Sequence, residues 1–292
     1  MPSRPVPALL IGAFLALYLV WGSTYLFIRI GIESWPPLTM AGIRFLVAGA
    51  ILYGFLRLRG APRPTAPQWR AGGLVGLLLL GLGNGGVTLA EHAGVASGVA
   101  ALAVATVPLF TLLFGLCWGQ HNSRLEWAGI LLGLAGIGLL NMGSNLQGSP
   151  GGAALLVFAA AAWAFGSVWS RRLPLPAGAM ASAVEMLIAG AALLLVGLIS
   201  GERMTAWPSL TGWLALGYLV LFGSILAFNA YMYLLKHVRP AAATSYAYVN
   251  PVVAVLLGIG FAGEHIGAWE VLAMLVIIGA VVLIGVPQWR RR

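Results

Sequence analysis

The sequence has no aspartate, one lysine and one cysteine, and only 8% of its 292 residues are charged. Without aspartate, and with its four histidines in the stretches between apolar runs, it offers no Ser-His-Asp set. Neither His92 nor His237 has a histidine or cysteine four residues away, as a metal site on a helix would need. The single cysteine excludes an intrachain disulfide. We therefore expect no enzyme chemistry, no metal and no cofactor.

What the chain has in excess is apolar surface. Its hydrophobic fraction is 60% and its mean hydropathy is +0.95, whereas soluble globular domains are about 45–50% apolar and about 25% charged. A net charge of +9 would fit a nucleic-acid-binding protein if the basic residues formed a patch, but they are dispersed along the chain. The composition predicts an integral membrane protein with the lipid bilayer as its partner and no nucleic acid.

Ten apolar runs are long enough, at about 18–23 residues each, to cross a bilayer as helices. No connection between them exceeds about fifteen residues, which leaves no room for a catalytic domain outside the membrane. The first run has no small-residue cleavage site after it, so we expect a retained helix rather than a signal peptide. The predicted spans are 8–28, 37–56, 71–90, 95–118, 125–142, 151–170, 178–199, 211–234, 240–262 and 267–287.

The basic residues indicate how these spans are oriented. Thirteen of the sixteen cations fall at connections on one side, and that side includes both termini. Cytoplasmic connections of membrane proteins carry an excess of Lys and Arg. The sequence therefore predicts cytoplasmic termini and a location in the bacterial inner membrane.

The second half of the chain repeats the first at an offset of about 141–145 residues. Each half, 1–146 and 147–292, contains five predicted spans, and an odd number forces the second half to enter the membrane from the opposite side. Inverted repeats are typical of alternating-access transporters, with the substrate site near the midplane between the halves. The matched positions are Gly22-Ser23 with Gly166-Ser167, Asn84 with Asn229, His92 with His237, Pro108 with Pro251, and "AGA" at 48–50 with "AGA" at 189–191.

Three segments carry a resemblance to a known family: "WGSTYLFIRIGIESWPPLTMAGIRFLVAGAIL", "GVASGVAALAVATVPLFTLLFG" and "RPAAATSYAYVNPVVAVLLGIGFAGE". With the duplicated layout, they resemble the EamA branch of the drug/metabolite transporter (DMT) superfamily over essentially the whole chain. The resemblance implies an all-α membrane protein with ten transmembrane helices in two inverted five-helix repeats. It also implies an exporter of amino acids or related metabolites, similar to exporters of the YddG type, in which the second and seventh helices lie away from the central cavity.

Polar and aromatic residues inside apolar spans are the candidates for substrate contact, because such groups face the bundle interior or a wet cavity. They lie on a 3.6-residue stripe in the third span, repeated in the eighth, around a proline break in the ninth, and beside Gly-Ser pairs in the first and sixth. Hydrogen bonding between helices and packed tryptophans are the structural alternatives. The predicted substrate-binding residues are Trp21, Thr24, Asn84, Thr88, Thr106, Trp163, Ser167, Asn229, Tyr233, Ser245, Tyr246, Tyr248 and Asn250, with Pro108 and Pro251 as gating positions.

Pro251 lacks a backbone donor and should free a carbonyl about one turn earlier, near Ala247. Within a membrane such a break persists only where protein or a water-filled cavity covers it. We therefore expect the break of the ninth span at this point, facing its twin around Pro108.

Arg44 and Glu185 are ionisable residues at matching depths of the second and seventh spans. A charge there costs roughly 2.5–3.5 kcal/mol on insertion scales, so we expect each to be compensated by the other, by helix carbonyls or by water. As a functional pair they would bind the carboxylate and ammonium of a zwitterion, or Glu185 would carry a proton. As a structural pair they would only fix packing.

The sequence thus predicts a transporter that exports amino acids, aromatic or other neutral ones, or related small metabolites. Few fixed charges suit a neutral or zwitterionic substrate better than a phosphate ester, which would call for clustered Lys or Arg. Multidrug efflux of amphipathic or cationic compounds is the alternative within transport, and a channel or passive scaffold is the alternative outside it. A homodimer is compatible with the sequence.

Overall fold

The computed structural model describes residues 7–93, 95, 103–140, 150–253 and 268–289, and within these ranges all regular structure is helical. Helices occupy the described part of each of the ten predicted spans, and we number them α1 to α10 accordingly. α3 and α8 each consist of three consecutive helical segments, and α9 of two. The bounds are α1 Pro7–Ile32, α2 Pro37–Leu58, α3 Ala66–Gly76 with Leu77–Asn84 and Gly85–His92, α4 Val107–Cys117, α5 Arg124–Leu140, α6 Pro150–Ser170, α7 Ala179–Ile199, α8 Leu210–Tyr218 with Leu219–Phe228 and Asn229–His237, α9 Pro240–Ala243 with 246–253, and α10 Ala268–Trp289.

Six helices of the described residues are long and apolar enough to cross a membrane. Two shorter apolar helices, Val107–Cys117 and Val271–Val286, lie in the fourth and tenth predicted spans. Large aliphatic side chains are exposed along the outer helices, as expected for a surface that faces lipid. The all-α membrane fold is therefore confirmed, while the count of ten spans stays a prediction. The six are Pro7–Ile32, Pro37–Leu58, Ala66–Ala90, Gly151–Ser170, Ala179–Ile199 and Leu210–His237.

α2 and α7, which match in the sequence repeat, pack against each other through glycines. A Cβ atom on Gly49 would lie 2.9 Å from the backbone nitrogen of Leu187, and one on Gly190 would lie 2.6 Å from that of Leu46. The two contacts are reciprocal, because Leu187 matches Leu46 and Gly190 matches Gly49 at the same offset of 141. Reciprocal contacts are the signature of two elements related by a two-fold axis.

The direction of this packing follows from the order of its contacts. Gly42, near the start of α2, lies against Leu194, late in α7, whereas Gly49 lies against the earlier Leu187. The two helices therefore run antiparallel. α5 and α10 repeat the arrangement: Gly129 lies against Ile284, and Gly136 against Ile277. In both of these matched pairs, α2 with α7 and α5 with α10, the two helices thus run in opposite directions.

Two structural details recur at equivalent positions of the two halves. Gly60 ends α2 with φ +81° and Gly201 ends α7 with φ +82°, the left-handed conformation that favours glycine after a helix. In addition, α3 and α8 each contain a π-helical segment, Leu77–Asn84 and Leu219–Phe228. π-helical turns are rare and frequently lie at functional sites.

The break in α9 lies six residues before Pro251, so the predicted position of the break was wrong. Helix α9 is interrupted at Thr244 and Ser245, whose hydroxyls donate to the carbonyls of Pro240 and Ala242 at 3.0 and 2.7 Å. The same two carbonyls also accept the backbone N–H groups of Thr244 and Ser245, so the hydroxyls add a second hydrogen bond to each. Pro251 lies within the helical residues 246–253.

The equivalent break in α4 comes directly before its proline. Pro108 occupies the first turn of Val107–Cys117, where a missing N–H costs no hydrogen bond. The Thr106 hydroxyl donates to the Ala103 carbonyl at 2.5 Å. Thr106 thus stabilises the end of the preceding turn. Its contribution to substrate binding stays a prediction.

Candidate functional site

A central cavity lies between helices from both halves of the chain. α1 to α3 and residues just before and within α4 contribute from the first half, and α6, α8 and α9 from the second. Most of its wall is apolar, and six of the predicted site residues face it together with Arg44. The lining residues are Trp21, Thr24, Ile28, Arg44, Phe45, Leu80, Gly83, Asn84, Val87, Val104, Val107, Ala159, Ala160, Trp163, Gly223, Phe228, Tyr246 and Asn250.

Three aromatic rings form one wall of this cavity. Trp21 packs edge-on against Trp163 at 5.5 Å between ring centroids and against Tyr246 at 4.8 Å. The Trp21 indole nitrogen donates to the carbonyl of Gly223 at 3.0 Å, which fixes the ring. Such a wall is rigid and offers both apolar surface and negative ring faces to a ligand.

Tyr231 lies directly behind the aromatic wall and was not predicted. Its hydroxyl accepts a hydrogen bond from the Trp163 indole nitrogen at 3.0 Å and shares one with Ser167 at 2.6 Å. Both Tyr231 and Ser167 are fully buried. Ser167 therefore supports the cavity wall rather than lining it, and it does so through Tyr231.

Two asparagines supply polar groups to the cavity. The side-chain carbonyl oxygens of Asn84 and Asn250 are buried and accept no hydrogen bond from the described residues. Thr88, predicted to share their role, does not line the cavity, and its hydroxyl donates to the Asn84 backbone carbonyl at 3.0 Å. Buried acceptors without donors are costly and rare in folded proteins, so these two amides are available to a ligand or to water.

Arg44 lines the cavity, contrary to the position away from it that the family resemblance implied for α2. It is 4% exposed, its Nε donates to the Ser224 hydroxyl at 2.8 Å, and its guanidinium lies 4.8 Å from the ring centroid of Phe45. It forms no ion pair with Glu185 or with any other described carboxylate. Of the compensations expected for Arg44, an ion pair with Glu185 is therefore not formed among the described residues, and the role of the two charges stays a prediction.

Glu185 lies elsewhere in the bundle, where α7 packs against α3. Its backbone contacts Gly76, and neither carboxylate oxygen accepts a hydrogen bond from the described residues. The charge of Lys236 on α8 interacts with it electrostatically. The matching depth of Arg44 and Glu185 was inferred from the repeat in the sequence. It carried no information on the direction in which either side chain leaves its helix.

Other predicted site residues lie away from the central cavity. Asn229 and Tyr233 line a second cavity beside α1 and α7, together with Lys236. The Tyr248 ring packs against Gly133 of α5 and its hydroxyl donates to the Ile130 carbonyl at 3.2 Å. Asn229 and Tyr233 were predicted from helical periodicity, which fails in α8 because π-helical winding changes the rotation per residue. Tyr248 was predicted from its place beside the proline of the ninth span.

A third cavity, at the ends of α4, α6 and α8, is polar and holds the ion pair Glu126–Arg239. Both carboxylate oxygens of Glu126 accept from Arg239, at 2.5 and 2.7 Å, and Arg239 also donates to the His121 carbonyl at 2.9 Å. Nearby, burial and the charge of Arg239 lower the pKa of Arg171. These contacts tie the connection after α4 to the one after α8.

Ser245, the remaining candidate, shares a hydrogen bond of 2.6 Å with the Tyr18 hydroxyl.

Within the described residues, no group of three or more His, Cys, Asp or Glu is placed to hold a metal ion. The polar and aromatic part of the central cavity's lining includes an aromatic wall, two amides and one guanidinium. This arrangement is suited to binding an organic molecule of low net charge.

The comparisons with known proteins agree with a transport function. The chain is 59% identical to the "uncharacterized inner membrane transporter YedA" of Escherichia coli K12, over 96% of this chain and 92% of that protein. It is 28% identical to a "probable amino-acid metabolite efflux pump" of Salmonella typhimurium, over 90% of this chain and 93% of that protein. A solved crystal structure with 23% identity shares the fold with a TM-score of 0.78, covering 98% of this chain and 99% of that one.

The model of the EamA-like transporter family matches the chain twice, over residues 8–142 and 150–286. Each match contains one of the two sets of five predicted spans. The family consists of membrane transporters, so membership also argues against an enzyme. The chain is a membrane transporter of the EamA-like family, within the DMT superfamily.

Proposed function

We propose that the protein exports amino acids, aromatic or other neutral ones, or closely related metabolites across the bacterial inner membrane by alternating access. The observation that carries the proposal is the central cavity, which has an apolar and aromatic wall, two amide acceptors and a single charge. A small zwitterion with an apolar side chain matches these features. The similarity to a probable amino-acid metabolite efflux pump supports the same substrate class.

Multidrug efflux of cationic compounds is the second candidate, and the cavity argues against it. The described lining contains no carboxylate, and its one charged residue is the cation Arg44. A cationic drug would therefore meet repulsion without a compensating anion in a poorly hydrated site.

The experiment for this proposal is an uptake panel in proteoliposomes. Initial rates would be measured for the twenty amino acids and for the cationic dye ethidium, each with and without a pH gradient. We expect uptake of a subset of neutral amino acids with apolar side chains and none of ethidium. Uptake of ethidium without any amino acid would favour the multidrug alternative and contradict the proposal.

For the architecture, we propose ten spans in two inverted repeats, residues 1–146 and 147–292, with both termini in the cytoplasm. The antiparallel, reciprocal packing of α2 on α7 supports the inversion, because two matched helices that cross a membrane in opposite directions enter it from opposite faces. The second antiparallel pair, α5 and α10, supports it independently.

Topology reporters test the inversion at two matched positions. A reporter fused after Gly60 should report the cytoplasm, and one fused after Gly201, its counterpart, should report the opposite face. A fusion after Arg172 serves as a control and should report the cytoplasm, because six predicted spans precede it. The same signal from Gly60 and Gly201 would contradict inverted repeats.

A further inference from the structure

The strongest unexplained feature of the central cavity is the guanidinium of Arg44. Within the described residues its Nε donates to Ser224, and its two terminal nitrogens donate to no protein group. A guanidinium carries five N–H donors, so most of the hydrogen-bonding capacity of Arg44 is unused. Burying a charge without an anion is expensive, and the expense is reduced when a ligand supplies the anion.

The residue opposite the guanidinium keeps space for it. A Cβ atom at Gly223 would lie 2.8 Å from Nη2 of Arg44 and 3.1 Å from a methyl group of Thr24. Glycine at this position therefore allows the guanidinium of Arg44, a cavity-lining residue, to lie against the backbone of α8. Ser224, the next residue, fixes its orientation through Nε.

The surroundings of Arg44 select the class of anion. It is the only charged residue among the described cavity lining. One guanidinium offers two parallel N–H donors that match the two oxygens of a carboxylate. A phosphate ester carries more charge and would require further cations. The cavity is therefore suited to a monocarboxylate.

The carbonyl oxygens of Asn84 and Asn250 complete the site. Both oxygens are buried and accept no hydrogen bond from the part of the chain that the structure describes, and both asparagines line the same cavity as Arg44. An ammonium group has three donors and no acceptor, so it would satisfy both amides at once. The ring faces of Trp21 and Trp163 add favourable electrostatics for a cation.

We propose that Arg44 binds the α-carboxylate of an amino-acid substrate, while Asn84 and Asn250 accept hydrogen bonds from its ammonium group and the aromatic wall packs against its side chain. This inference rests on the proposed function and refines it, because it assigns each charged group of the substrate to a residue. Arg44 is then a substrate-binding residue, and Ser224 and Gly223 position it.

The test compares L-phenylalanine with L-phenylalaninamide, which keeps the ammonium and the side chain but lacks the carboxylate. Binding would be measured by calorimetry on the purified full-length protein in nanodiscs. We expect the wild type to bind the acid about 10- to 100-fold more tightly than the amide, the range for a charge-assisted hydrogen-bonded pair. Arg44→Gln should abolish this preference, and Arg59→Gln, at the exposed arginine directly after α2, should keep it.

Two further variants keep the inference testable if Arg44→Gln does not fold. Gly223→Ala places a methyl group against Nη2, and Ser224→Ala removes the acceptor of Nε. Each retains the charge but should lower the acid-to-amide preference about five-fold, because the guanidinium is no longer held in place. A merely structural Arg44 would leave this ratio unchanged.

The outcomes separate the two proposals. A wild type that binds phenylalanine and its amide equally, or an Arg44→Gln or Gly223→Ala variant that keeps the full preference, overturns the role of Arg44 but not amino-acid transport. If the wild type binds none of the twenty amino acids, the proposed function fails, and the assignment of Arg44 fails with it. Loss of the preference in Arg44→Gln and a lowered preference in Gly223→Ala, with Arg59→Gln unaffected, support both proposals.

Discussion

Substituting Gly190 by leucine should eliminate folded protein from detergent extracts. A Cβ atom at this position would lie 2.6 Å from the backbone nitrogen of Leu46 and 2.9 Å from the carbonyl oxygen of Gly42. Because both neighbours are backbone atoms, no rotamer change can relieve the clash and α2 must move away from α7. Inserting extra methylene groups into a well-packed core typically costs about 1–3 kcal/mol. A whole leucine side chain against backbone should cost more, and we expect the monodisperse peak in size-exclusion chromatography to disappear.

Gly54→Leu on α2 is the matched control for this substitution. No heavy atom outside its own helix lies within 4 Å of a Cβ atom built on Gly54. The same change in size and hydrophobicity should therefore leave the yield and the elution profile near those of the wild type. Normal folding of Gly190→Leu would contradict the close α2–α7 contact, and with it the two-fold relation of the halves.

Removing the carboxylate of Glu126 should produce the second large effect. Glu126 is fully buried and accepts two hydrogen bonds from Arg239, whose side chain is 21% exposed. Removing one member of a buried ion pair costs about 3–5 kcal/mol because the other charge loses its compensation. With the partial exposure of Arg239, we expect Glu126→Ala to lose about 3 kcal/mol, or about 6–12 °C in the melting temperature measured in detergent.

A double variant separates the ion pair from a simple packing defect. Glu126→Leu/Arg239→Leu removes both charges and should recover part of the stability lost in Glu126→Leu alone. The recovery should be incomplete, because Arg239 also donates to the His121 carbonyl. Glu33→Ala, at an exposed glutamate, is the control and should leave the melting temperature unchanged. If the loss of stability in the double variant equals the sum of the losses in Glu126→Leu and Arg239→Leu, the ion pair contributes nothing to stability.

The contacts between matched helices were predictable from the sequence to a large extent. Gly49 and Gly190 stand in the two copies of "AGA", and small residues at matched positions of apolar spans indicate close helix packing. The structure places them in reciprocal contact with Leu187 and Leu46. The sequence repeat was sufficient to predict this contact, because the contact requires only small residues at the correct spacing.

The site was predictable only in part, because the direction of a side chain depends on the local winding of its helix. Trp21, Trp163 and Tyr246 were predicted as site residues and line the central cavity. Asn229 and Tyr233 were predicted as well, but they line the second cavity. A period of 3.6 residues assumes uniform α-helical winding, and the π-helical segment Leu219–Phe228 directly precedes this pair. Tyr231 is brought behind the aromatic wall instead, and no pattern in the sequence distinguishes it from Tyr233.

The position of the break in α9 illustrates the same limit. A proline predicts the loss of one hydrogen bond, but the helix is interrupted in a different turn, where the hydroxyls of Thr244 and Ser245 add hydrogen bonds to the carbonyls of Pro240 and Ala242. Which turn opens is decided by the surrounding packing, including the hydrogen bond between Ser245 and Tyr18 of α1. Such a contact spans 227 positions of the chain and leaves no local signal.

The most direct test of the central claim is a counterflow measurement with L-phenylalanine. Proteoliposomes loaded with unlabelled phenylalanine would be diluted into buffer with a trace of labelled phenylalanine, and internal label would be followed over time. A carrier with one alternating site should accumulate label transiently above its equilibrium level, and the overshoot should be lost in Arg44→Gln and retained in Arg59→Gln. Label that equilibrates without an overshoot would indicate a channel, and no uptake of phenylalanine or any other amino acid would contradict the account.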